Sequence, residues 1–122
     1  MSEAVRDFKD LVVWQRAIRF ATEVYRLTRH WPPEEKFGLI SQVRRAAVSV
    51  SSNIAEGHSR HRREFVHFLS IARGSLSEAE SQLFLAVELG YLKPADITPA
   101  REMAQETRRM VAVITRKLTP DP

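Results

Sequence analysis

The chain has no cysteine among its 122 residues. It can therefore build neither a disulfide framework nor a thiolate metal site, and a reducing cytoplasm suits it. Glycine and proline are scarce, at four and six residues, so regular structure has few forced stops. No apolar run approaches the roughly 20 residues that span a bilayer. The first ten residues, MSEAVRDFKD, are charged and lack the apolar segment of a secretory signal. A cytoplasmic protein without membrane association is expected. Catalytic signatures are also missing. There is no glycine-rich phosphate loop, and EGHSR lacks the flanking glycines of a nucleophile elbow. His61 and His67 lie six residues apart, and no dense carboxylate set joins them or His58. No enzyme, metal, cofactor or small-molecule substrate is expected.

What is present suits one soluble domain spanning residues 1–122, with 43% hydrophobic and 28% charged residues. The net charge is +4, and it is uneven along the chain. Residues 1–35 carry six basic and six acidic side chains. Residues 36–73 carry seven basic and two acidic, and residues 74–122 six and seven. The middle third therefore points to an anionic partner, with a merely solvated basic surface as the plainer alternative.

Between the glycine and proline punctuation lie four segments with apolar residues at steps of three and four, the period of a helix face. They predict helices at about 12–30, 34–56, 62–89 and 98–118. Pro33 suits the first turn of the second, with Glu34 and Glu35 favoured there by the helix dipole. Thr98 and Pro99 suit the N-cap and first position of the fourth. Short connections make neighbouring helices antiparallel, so the fold expected is all-α, an up-down-up-down four-helix bundle. The first helix carries two adjacent apolar stripes, wider than one bundle core needs. Trp14, Tyr25 and Trp31 cannot all face three partner helices. They are expected at an interface between copies of the chain, the alternative being that they cap the bundle ends.

The stretch QVRRAAVSVSSNIAEG places small and polar residues along the second helix. Folding it back on the third helix, with Ile54 opposite Phe65, brings Arg44 and Arg45 near Gly74 and Ser75. A helix-interior glycine costs about 1 kcal/mol relative to alanine, and a crossing arginine stem would account for Gly74. A polar seam of Gln42, Arg45, Ser49, Asn53, Glu78 and Gln82 is expected, with Arg45 paired to Glu78. The hydroxyl of Ser75 is expected to bond to its own preceding turn.

The blocks DLVVWQRA, VYRLT, FGLISQVRRAAVSVSSNIAEG and FLSIARGSLSEAESQL, in this order and spacing, resemble the family named after the 23S rRNA intervening sequence protein. The resemblance covers about residues 8–92. It implies a small four-helix bundle without enzymatic activity and a ring-shaped homopentamer. A more distant relative, the accessory protein of diversity-generating retroelements, implies nucleic-acid binding. The motif's polar positions fall on Trp14, Gln15, Gln42, Arg44, Arg45, Ser49, Asn53, Glu56, Arg60, Ser75 and Glu78. Ser59 and Ala79 depart from the pattern, where glycine and leucine are usual.

The function expected is thus an oligomeric bundle that binds structured RNA, or other nucleic acid, through Arg60, Arg62, Arg63, His58, His61 and Arg44. Side-chain charge and open helix N–H groups would coincide there, and contacts to phosphate would carry little sequence information. The competing expectation is a scaffolding oligomer whose partner is a protein.

Overall fold

The computed structural model describes residues 6–120. Four α-helices pack together: α1 (Val12–Thr28), α2 (Leu39–His58), α3 (Arg62–Glu88) and α4 (Thr98–Leu118). No strand occurs among the described residues. Each helix packs against two neighbours, α1 on α2, α2 on α3, α3 on α4 and α4 on α1. Their apolar stripes close on one core that includes Phe20, Val43, Ile54, Leu69, Leu83 and Val111, each at most 2% exposed. None of the helices is long and apolar enough to cross a membrane.

Of the two stripes on α1, one is the core stripe. Val13, Ala17, Phe20, Val24, Leu27 and, past the helix end, Trp31 are buried. Along the other stripe Ala21 and Thr28 are buried, while Ile18 and Tyr25 are more than a third exposed. Helix α1 stops two residues earlier than expected. Trp31 precedes Pro32, a position that disfavours helical backbone, and the chain leaves through a turn at residues 29–30.

The start of α2 differs more. Residues Pro33–Glu35 form a separate 3₁₀ turn, and α2 begins only at Leu39. Gly38 adopts φ −106° and ψ −115°, which a helix cannot use. Glu35 is therefore not a first-turn residue of α2 but its cap. Its Oε1 accepts from the Leu39 N–H at 3.1 Å, and its Oε2 accepts from the Tyr91 hydroxyl at 2.8 Å. A Cβ on Gly38 would stand 2.7 Å from Glu35 Oε1, so glycine leaves room for this cap. Tyr91 follows Gly90, whose φ of +82° ends α3. The Gly90 N–H bonds to Val87 O and the Tyr91 N–H to Ala86 O, closing a Schellman motif. Tyr91 also packs on Trp31, ring centroids 5.7 Å apart, which ties three chain segments together at one end of the bundle.

At the opposite end α2 runs on through Gly57 to His58. The register of α2 on α3 goes with this two-residue extension. Gly57 lies against Phe65 and Phe68, and Ser49 meets Ser75. These two helices are therefore antiparallel, but about one turn out of the expected register. Gly74 meets no arginine stem; a Cβ there would have no atom within 4 Å. Helix α4 starts at Thr98 itself, one residue before the expected first position, with Ile97 at the N-cap.

Candidate nucleic-acid interface

The turn between α2 and α3 carries the residues expected to meet an anion. Arg60 is the most committed of them. Its guanidinium reaches Glu56 at 2.5 Å and Glu64 at 3.3 Å and lies over the Phe68 ring at 5.6 Å. Those two carboxylates raise the Arg60 pKa and neutralise its charge locally. His58 is partly buried, edge-on to Phe65 at 5.9 Å. Arg62 and Arg63 are different. Both are exposed, and neither makes an ion pair or side-chain hydrogen bond among the described residues. With His61, Val66 and the end of α4 at Leu118–Pro120, they line a hollow of about 450 Å³. The first helical bond of α3 runs from the Phe65 N–H to His61 O, at 2.8 Å. The His61 side chain caps nothing, so the N–H groups of the first turn stay open.

Arg44, grouped with these residues in the sequence, lies elsewhere. Its Nε donates to the buried Thr28 Oγ1 at 2.8 Å, and its guanidinium covers the Tyr25 ring at 4.4 Å. It clamps α2 to α1. The connection at residues 29–38 turns the chain back on itself, so the second turn of α2 passes level with the last turn of α1, where Thr28 offers an acceptor.

The polar seam between α2 and α3 exists with a different centre. Ser75 Oγ donates to Ser49 Oγ at 2.9 Å, and Asn53 Nδ2 donates to both Ser49 O and Ser49 Oγ, at 2.8 and 2.9 Å. The Ser75 hydroxyl thus bonds across the seam and not to its own preceding turn. Gln42, Arg45 and Glu78 line a hollow of about 380 Å³ beside this cluster. Arg45 and Glu78 are both exposed and form no ion pair, so the expected Arg45–Glu78 bridge is absent. Gln82 is half-buried, and its Oε1 has no hydrogen-bond partner among the described residues.

The three aromatic residues expected between copies separate. Trp31 is only 5% exposed and belongs to the protomer's own core, which removes it from any outer surface. Trp14 is half-buried and packs edge-on against Phe8 at 5.1 Å. Tyr25 remains at the surface. It lines a cleft of about 630 Å³ with Lys36, Phe37, Ile40, Arg45 and Val48, and Phe37 is 88% exposed. Phe37 carries no periodic signal because it precedes α2, and so sequence reasoning missed it.

A second set of charges lies along α3 and α4. Glu80, whose side chain is 13% exposed, binds Arg108 and stands 3.9 Å from Arg101. Arg101 also covers Phe84 at 4.8 Å. On the other side of α4, Glu106 pairs with Arg16 of α1 at 2.7 Å.

The model of the family described as 23S rRNA-intervening sequence protein matches residues 9–113. No curated protein matches the chain. Among solved structures, a protein of unknown function from the S23 ribosomal protein family of Bacteroides thetaiotaomicron, at 1.70 Å resolution, aligns with a TM-score of 0.76. The alignment covers 86% of this chain and 99% of that one at 22% identity, a likeness of fold. The family match takes in α1 to α3 whole and most of α4, and the chain belongs to the 23S rRNA-intervening sequence protein family.

Proposed function

We propose that this protein is a non-enzymatic homo-oligomer that binds structured RNA, or other nucleic acid, through basic side chains at the α2–α3 end of the bundle. The observation that carries the reading is the pair Arg62 and Arg63, exposed and without ion pairs among the described residues, beside the open first turn of α3. A phosphate there would meet two guanidiniums and free N–H groups together, a combination suited to the backbone and indifferent to base identity. Arg60, held by Glu56 and Glu64, positions the turn more than it offers charge.

Assembly is supported by the cleft around Tyr25, Phe37, Ile40 and Val48, because exposed apolar residues gathered in one patch, unlike single ones, mark a contact surface. The resemblance to the family implies five subunits. A ring would repeat the Arg62–Arg63 pair on one rim, and contacts that are weak singly would add when one RNA reaches several protomers. The same cleft also favours the competing reading, a scaffold for a protein partner, since Lys36, Arg44 and Arg45 surround its apolar floor.

Salt separates the two. Fluorescence anisotropy with a hairpin RNA should show affinity falling steeply with salt. In Arg62→Ser/Arg63→Ser the slope should shrink by about one for each phosphate that is no longer neutralised. Absence of RNA binding by the parent at low salt would leave the scaffold reading. Light scattering should report a mass well above the 14.0 kDa of one chain.

A further inference from the structure

Arginines that are far apart in the sequence form one strip where α3 meets α4. On α4, Arg101, Gln105, Arg108, Ala112 and Arg116 recur at steps of four, three, four and four, one face of a helix. On α3, Arg62, Val66, Arg73, Glu80 and Phe84 share a face in the same way. Three contacts bring these faces together: Glu80 to Arg108, Arg101 over Phe84, and Arg62 with Val66 beside Leu118 and Thr119. Arg109 adjoins the strip, sharing a hollow of about 260 Å³ with Gln105, Arg108 and Ala112, and Arg63 adjoins it at the α3 start.

The strip holds seven arginines against three glutamates, Glu80, Glu102 and, at its far end, Glu88. That is an excess of four on a chain whose net charge is +4, so the rest of the protein is neutral in sum. Arg101 to Arg116 spans about 22 Å at 1.5 Å per residue. Every cation in it is an arginine, whose planar fork matches phosphate oxygens.

We infer that this strip is a track for the phosphate backbone of double-helical RNA. The inference rests on the nucleic-acid reading above and extends the site from the end of the bundle along its whole side. Two features choose the ligand. The strip is laid along two packed helices, α3 and α4. It also offers one aromatic ring and no row of them: Phe84 is 45% exposed with Arg101 over one face, too little for successive unpaired bases to stack on.

Arg73, Arg109 and Arg116 make no ion pair or side-chain hydrogen bond among the described residues, so changing them leaves the Glu80 pairs in place. The test is Arg73→Gln/Arg109→Gln/Arg116→Gln against the parent, with circular dichroism and light scattering to establish unchanged helicity and mass. The probes are a 20-base-pair RNA duplex, one of its single strands, and phosphatidylserine vesicles, each over a series of salt concentrations. The duplex should bind the parent more tightly than the strand. The variant should lower the slope of log affinity against log salt for the duplex by about two to three. An unchanged slope, with binding abolished in Arg62→Ser/Arg63→Ser, would confine phosphate to the bundle end and overturn the track while sparing the reading it rests on. Preference for the single strand would overturn the choice of ligand. A variant that no longer binds vesicles but keeps the duplex would make the strip a lipid surface, and a parent that binds no RNA would overturn both.

Discussion

Gly57 lies so close beneath Phe68 that a Cβ on the glycine would stand 2.7 Å from the Phe68 Cβ, with Phe65 Cδ1 at 2.8 Å. This contact sets how closely α2 and α3 approach at the turn that carries Arg62 and Arg63. The Phe68 Cβ is fixed to the α3 backbone, so it cannot swing aside. Gly57→Ala should therefore cost about 1–3 kcal/mol as an overpacked site. Gly74 faces open space in α3, and Gly74→Ala should raise stability by up to about 1 kcal/mol. Urea unfolding of the two variants, side by side with the parent, measures both; equal effects of like sign would contradict the packing described.

Arg44 and Arg45 are adjacent in the chain and differ in role. Arg44→Ala removes a charged hydrogen bond to the buried Thr28 and the stack on Tyr25, and should cost about 1–3 kcal/mol. Arg45→Ala removes an exposed side chain that has no partner among the described residues, and should stay within about 0.5 kcal/mol. Thermal midpoints of the two variants test this contrast, and a larger loss of stability for Arg45 would reverse it.

The Glu35–Tyr91 bond predicts a pH dependence. The Leu39 N–H and then the Tyr91 hydroxyl lower the Glu35 pKa below the usual 4.5, so its contribution is present above that value and fades as pH falls through the folded-state value. The bond to Glu35 raises the Tyr91 pKa above 10.0, so its contribution is present below that value and fades as pH rises through the folded-state one. Tyr91→Phe should thus be less stable than the parent between about pH 4.5 and 10, with the two curves converging outside that window. Melting temperatures at a series of pH values give the curves; parallel curves would mean that the bond does not form in solution.

If the Tyr25–Phe37 cleft is the surface between copies, Phe37→Asp should lower the mass seen in light scattering without lowering helicity. Phe37 is 88% exposed in the protomer, so folding of one chain does not depend on it. An unchanged mass would place the contact on another face.

The helices were legible because their period is local. Steps of three and four in apolar residues mark each core stripe, and the stripe from Val13 to Trp31 is buried as a unit. The ends were less so. Pro33 and two following glutamates make a good first helical turn on local grounds, yet Glu35 instead caps α2 and binds Tyr91, 56 residues away. The seam was recognisable from its serines and asparagine, but its register was not, because α2 does not stop before Gly57 but runs through it to His58, and the facing pairs shift by about one turn. That shift brings Ser49 to Ser75 and sets Arg45 level with Glu78 beside the same hollow, where both side chains stay exposed and form no ion pair among the described residues.

Sequence alone determined what depends on near neighbours: the helical class, the four segments, the absence of thiol chemistry and the family blocks. Tertiary structure decided what depends on distance across the fold. Counted along the chain, residues 74–122 are slightly acidic, and the excess of positive charge falls in the middle third. Folding sorts α4 by face. Glu106 turns to Arg16 on α1, while Arg101 and Arg108 turn to α3, where they line up with Arg62 and Arg73. Charge sums taken along a helix average over its faces, and only the packing of neighbours selects which face each charge joins.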